Sequence, residues 1–207
     1  MELHRLVILV ALAAAIAVPT GAETPVCTDP ADQRNAVVSG SVVAWEDHRN
    51  GNLDIYMKDL ETGVETPVTA SLADETQPDL DGDRVVYQSG TDEIRLHEIG
   101  TGVTVTIESG PGERSHPRIS GNWIVWQDHR GSDWDVYLFD LTTGAVRPMT
   151  GPGDQHSPSV EGNQLAWVAV DASSSESSVM ADHTVTSSYF LVASAGHPTA
   201  PDLGGGP

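Results

Sequence analysis

The chain of 207 residues has a single cysteine, Cys27, so no disulfide can form within it. Cys27 is read as a free thiol near a loose N-terminus. It is not a lipoprotein site, because Glu23-Thr24-Pro25-Val26 precedes it rather than a run of small residues. Basic residues are scarce as well. There are 10 against 30 acidic ones, Lys58 is the one lysine, and the formal net charge is −20. Such a charge repels nucleic acid and anionic lipid headgroups, so neither is expected as a partner. It suits a saline environment, where salt screens the self-repulsion. After residue 22 no apolar run approaches membrane length, and none sustains a 3.6-residue period. Neither membrane insertion nor a helical domain is expected of that part. Catalytic motifs are missing too. There is no Gly-x-Ser-x-Gly elbow, no His-Glu-x-x-His and no phosphate-cradling loop, since the glycines stand beside acids.

One long apolar run is present, at the start. Arg5 gives a short basic opening, Leu6 to Val18 is unbroken, and Pro19-Thr20-Gly21-Ala22 is a small-residue cleavage site. Residues 1–22 read as a secretory signal peptide removed after Ala22. The rival is an uncleaved anchor. Cleavage would remove Glu2 and Arg5 together, so the exported chain would stay as acidic.

What fills the remainder is repetition. A glycine is followed five residues later by a large aromatic four times: Gly40/Trp45, Gly82/Tyr87, Gly121/Trp126 and Gly162/Trp167. Pro78, Pro117 and Pro158 stand four residues before the later glycines, with Ala36 in the first copy. Asp54-Ile55-Tyr56 recurs as Asp135-Val136-Tyr137 and, more weakly, as Glu93-Ile94-Arg95. Each of these leads nine residues after its acid to a Thr-Gly turn, at Gly63, Gly102 and Gly144. Runs such as Val42-Val43-Ala44-Trp45 and Trp123-Ile124-Val125-Trp126 are β-branched and aromatic, as buried strands are. Each unit is therefore expected to be an antiparallel meander, with strands near 36–39, 41–46, 53–59 and 64–69 in the first copy. A lone meander cannot bury both faces, so copies must stack.

The run from Trp45 to Tyr56, closed by Glu65-Thr66-Pro67-Val68-Thr69, resembles the repeat of TolB-type, WD40-like β-propellers. The element Pro117-Arg118-Ile119-Ser120-Gly121 is similar to that family's blade opening. The resemblance covers roughly residues 33–170 and implies an all-β propeller; the count of copies gives about four antiparallel four-stranded blades over residues 33–194, after an extension at 23–32. The fourth blade is degenerate beyond Val168. Residues 171–188 are expected to be partly a long loop, with one further strand at 188–193, and 195–207 a disordered Gly/Pro/Ala-rich tail. Four copies can close as a small ring or stand as an open arc. An arc leaves edge strands bare, inviting self-association or completion by a second copy.

Candidate sites follow from the loops. Asp47, Asn50, Asn52 and Asp54 surround Gly51, and Asp128, Asp133 and Asp135 recur in the sister loop. Oxygen ligands around a glycine point to calcium, but the spacing is irregular and each loop holds an arginine. The competing reading is a turn in which Arg49 pairs with Asp47 or Asp54, and Arg130 with Asp128 or Asp135. Zinc is disfavoured. His48 and His129 occupy equivalent blade positions, as roughly do His116 and His156, so they stand around a ring rather than together. Trp45, Tyr87, Trp126 and Trp167 recur in register and are expected in the core. Trp123 and Trp134 break the register, so they are candidates to stack on a sugar or anchor a protein.

Two functional classes remain. The first is an exported, non-enzymatic interaction module that binds a protein or glycan partner outside the cell or at its surface, with no cofactor. The second is a polysaccharide lyase or hydrolase, which needs acids at the central opening, with Asp79, Asp81 and Asp83 the ones to inspect. A third possibility is a shortened propeller with no ligand of its own.

Overall fold

The computed structural model of the protein describes residues 24–184 and 190–194. The expected signal peptide at 1–22 and tail at 195–207 lie outside the described residues. The strands of the first sheet are β1 (Gln33–Ser39), β2 (Val42–Asp47), β3 (Asp54–Asp59) and β4 (Glu65–Pro67). The second holds β5 (Glu75–Asp81), β6 (Arg84–Ser89), β7 (Glu93–Glu98) and β8 (Val103–Glu108). The third holds β9 (Glu113–Ser120), β10 (Trp123–His129), β11 (Asp135–Asp140) and β12 (Ala145–Met149). The fourth holds β13 (Gln155–Glu161), β14 (Gln164–Val170), β15 (Ser177–His183) and β16 (Phe190–Ser194). Each sheet is an antiparallel meander with its strands in chain order.

The recurring glycines explain themselves in the first hairpin of each blade. Ser39 pairs with Val42, so Gly40-Ser41 is a two-residue turn whose first residue has φ 57°. Gly82, Gly121 and Gly162 repeat that conformation, which side chains resist. The turns also tie blade to blade. Gly82 N donates to Ser39 Oγ (3.0 Å), Gly121 N to Asp81 Oδ2 (2.6 Å) and Gly162 N to Ser120 Oγ (2.9 Å).

The core lies in three seams. Ala44 and Ile55 of blade one meet Leu80, Val85 and Tyr87 of blade two. Val86, Ile94 and Leu96 then meet Ile119, Ile124 and Trp126. Val125, Val136 and Leu138 meet Val160, Leu165 and Trp167. Each fully buried Leu, Ile or Val contributes about 1.5–3 kcal/mol. The first strands line the centre, with β1 packed on β5, β5 on β9 and β9 on β13.

The four blades form an open arc. Among the described residues β13 makes no packing of like extent on β1. Val38 occupies the position of Leu80, Ile119 and Val160. Those three are 7, 5 and 8 % exposed, whereas Val38 is 65 % exposed. Trp45 is nonetheless buried, although it has no packed blade before it among the described residues. Chain before β1 wraps over it, held by Lys58 Nζ donating to Val26 O and by Arg49 reaching Cys27 Sγ.

The fourth blade is more regular than expected. Only 171–176 forms the loop, closed by Asp171 accepting from Ser173 N and Ser174 N, and β15 follows. Its sequence, SSVMADH, hides the strand because Met180 stands where β3 and β11 have a tyrosine, and Asp182 where β11 has Phe139. The further strand begins at Phe190.

Candidate functional site

Every first strand carries one break in register, between Arg34/Val37, Thr76/Asp79, Val125/Gln127 (opposite β9) and His156/Ser159. At each break a non-glycine residue has positive φ: Asn35 51°, Gln77 54°, His116 54° and Ser157 54°. A left-handed residue of this kind costs of order 1–3 kcal/mol unless its surroundings hold it. Neighbouring blades do so. Gln77 N donates to Glu46 Oε1 (2.6 Å), Ser157 N to Gln127 Oε1 (2.8 Å), and His116 N to Gln77 Oε1. Pro78, Pro117 and Pro158 follow directly, with no N–H to leave unpaired.

These bulges shape a central opening of about 380 Å³, walled by Asn35, Gln77, Pro78, His116 and Arg118. Every other described arginine has a carboxylate within reach. Arg118 forms no such ion pair among the described residues, although its charge acts on the Asp79 carboxyl; its guanidinium donates to Pro117 O at 3.4 Å. Burial first, then the charges of Arg118 and His156, push the His116 imidazole below its ordinary value. The opening is therefore a cationic and amide-lined spot in a strongly acidic protein.

The acids first named for catalysis are employed otherwise. Asp79 Oδ2 accepts from Ile119 N (2.8 Å), and burial raises its carboxyl. Asp81 holds Gly121 N, and Asp83 lies at a turn with its side chain 75 % exposed. Asp79 and Asp81 thus tie blade two to blade three, and Asp83 stays within blade two, where its backbone oxygen accepts from Ile99 N.

The two Asp-His-Arg loops are built alike. Trp45 Nε1 donates to Asp47 Oδ2 and Trp126 Nε1 to Asp128 Oδ2, both at 2.9 Å. Arg49 grips Asp47 through Nε (2.8 Å) and Nη2 (2.6 Å), then lies 4.0 Å over the Tyr56 ring. Arg130 repeats this on Asp128 and Tyr137, at 4.2 Å. Burial alone would raise both carboxyls, but these hydrogen bonds outweigh it and hold Asp47 and Asp128 below the usual range. Asn50 binds Asp54 Oδ2 and Tyr56 OH, and Asn52 reaches Ala73 O in the link to blade two. Burial and the charges of Asp133, Asp128 and Asp154 raise Asp135. Among the described residues no three His, Cys, Asp or Glu side chains are grouped to hold a metal ion. Trp134 is half-buried against the His129 ring at 5.1 Å. Trp123 is half-buried at the third seam, its Nε1 donating to Asn163 Oδ1 (3.1 Å).

Arg118 and the bulge residues were not singled out as site residues from the sequence. Their signal was present: Gln77, His116 and Ser157 each stand directly before the recurring proline.

The whole architecture can now be set beside known proteins. No family model matches the chain, and no curated protein matches it in sequence. Solved structures do. TolB from Acinetobacter baumannii superposes with a TM-score of 0.63 at 18% identity, over 82% of this chain and 45% of that one. The fold is that of a TolB-like β-propeller. The chain thus spans about half the length of that TolB. It covers 93% of the computationally designed Ika4 protein, with 75% of its own length, a TM-score of 0.57 and 18% identity. A chain of a nidogen/laminin complex matches at a TM-score of 0.50 and 13% identity, over 74% of this chain and 75% of that one.

Proposed function

We propose that this TolB-like propeller is an exported, non-enzymatic binding module whose central opening takes a carboxylate of a protein partner. The observation that carries the reading is Arg118, the described arginine left without a carboxylate, standing in the opening beside His116 and Gln77. A half-buried guanidinium can bind a carboxylate through two parallel hydrogen bonds. Asp79 and Glu46, the acids bonded at the bulges, already accept from Ile119 N and from Asn35 Nδ2 and Gln77 N, which leaves the Arg118 guanidinium to an incoming carboxylate. The nidogen/laminin complex is a propeller-like neighbour seen bound to a partner, which supports a binding role in general. Export rests on the N-terminal sequence, and the form outside the cytoplasm is expected to begin at Glu23 on N-terminal sequencing.

The test is calorimetric titration of the purified protein with peptides ending in a free carboxylate, each beside its amidated twin. Free-acid peptides are expected to bind, more weakly as salt rises, and Arg118→Glu is expected to abolish binding. Equal binding of acid and amide forms, or an unaffected Arg118→Glu protein, would remove the opening as the site.

A further inference from the structure

A second site lies at the opposite kind of place, in the third seam. The cleft there measures about 660 Å³ and is walled by Trp123, Leu138, Asp140, Arg147, Asn163 and Thr184. Its origin can be read from the repeat. After the third strand of each blade, one residue donates its N–H to the first-hairpin turn. Leu60 bonds Ser41 O, Ile99 bonds Asp83 O, Leu141 bonds Asn122 O and Thr184 bonds Asn163 O. These four residues are structural equivalents. At the first seam Ile99 packs into the core, and at the second Leu141 does. At the third seam the plug is Thr184. The corresponding cleft at the first seam, with Ile99 in its wall, is only about 340 Å³.

Two more replacements accompany the lost plug. Pairing of Val42 with Asp59 and of Trp123 with Asp140 makes Trp123 the counterpart of Val42. Arg147 likewise stands for Thr66, opposite Leu138 and Met57. The cleft has thus been enlarged and given an aromatic wall and hydrogen-bonding groups at once. The Trp123 ring is fixed, packed on the third-seam core and held through Nε1 by Asn163. Arg147 Nη1 binds the fully buried Asp182 at 2.9 Å, and its Nη2 reaches Thr184 O at 3.3 Å. Its charge is balanced inside the wall, and Asp140 adds a further carboxylate.

We propose that this cleft binds a neutral saccharide. A flat indole accepts the C–H face of a sugar ring, while the Asp140 carboxylate offers acceptors and the Asn163 amide donors to its hydroxyls. The Asp140 carboxylate, additional to the Arg147–Asp182 pair, and a net −20 on the chain disfavour uronic acids and other anionic sugars. The cleft volume falls in the range of roughly 300–1,000 Å³ usual for small-ligand sites. This site does not depend on the central opening.

The experiment is a titration of the purified protein with three oligosaccharide sets: neutral hexose, N-acetylhexosamine and uronic acid. Tryptophan fluorescence and saturation-transfer NMR report binding. A member of the neutral sets is expected to bind and the uronic acids not. Trp123→Ala is expected to weaken binding about tenfold or more, the loss of one aromatic platform. Thr184→Leu restores the plug found at the other seams, so it is expected to abolish binding while raising the melting temperature. Arg118→Glu is expected to leave saccharide binding unchanged, which separates this site from the opening. No binding by either neutral set, or a Thr184→Leu protein that is folded and binds as before, would overturn the proposal.

Discussion

At the scale of single residues the protein depends on two buried carboxylates. Asp47 and Asp128 are both fully buried, and each gathers a tryptophan N–H and an arginine. Asp128 also has Arg114 beside it, Nε at 3.0 Å from Oδ2, while Arg114 Nη1 bonds Asp92 O across the second seam. Removing one partner of a buried pair strands the other charge and costs about 3–5 kcal/mol. Asp128→Asn is therefore expected to lower unfolding free energy by about that amount, and Asp47→Asn by less, because two arginines depend on Asp128. Urea titration measures both, and equal losses would contradict the two-arginine account. Acid should act in two steps. Burial holds His97 and His116 below 6.5 in the folded state. The unfolded chain thus takes up protons first, so their stabilising share is whole above pH 6.5 and is lost as pH falls through the folded values. Asp47 and Asp128 are depressed below 3.8, so their share is present above that pH and is lost as pH falls further. Melting temperatures across a pH series are expected to show both declines, the first reduced in His97→Asn.

At the scale of elements, glycine and the bulge set the geometry. Gly162 opens a two-residue turn at φ 53°, with open space where a Cβ would point. Gly162→Ala is expected to cost about 1 kcal/mol, the price of a left-handed backbone alone. Gly153 differs, since a Cβ there would strike Val170 O and Ala172 N in the adjacent backbone. Gly153→Ala is expected to loosen β13 against β14, seen as faster amide exchange through blade four than in Gly162→Ala. Strand positions in blades one to three were readable because β-branched and aromatic residues recur with turn glycines between them. β15 was harder to read, because burial of Asp182 against Arg147 of blade three, and packing of Met180 on the third-seam core, depend on the preceding blade. The bulges were not legible either, since positive φ at Gln77 or His116 is held by side chains of neighbouring blades.

At the scale of the whole molecule, the arc exposes the two halves of its own repeating seam. Blade one shows Val38, and blade four shows Val179, 39 % exposed, at the position of the buried Ile55, Ile94 and Val136. The two surfaces complement one another because the same pair of faces meets three times within the chain. A second copy would supply both. Light scattering is expected to show concentration-dependent self-association, reduced by Val38→Asp, and a monomer at all concentrations would reject it. Added salt should strengthen association by screening the net charge of −20.

The sequence alone determined the repeat, its meander and the positions of the buried aromatics, because these follow from local periodicity and turn chemistry. It also foretold that Arg49 and Arg130 would pair inside their own loops, because residues two apart across a tight turn are obliged to be neighbours. Tertiary structure decided what depends on juxtaposed blades. It left the arc open between β1 and β13, left Arg118 without a carboxylate, and turned the change from Ile99 and Leu141 to Thr184 into a cleft. Each of these is a relation between residues far apart in the chain, and it is fixed only when one sheet packs upon the next.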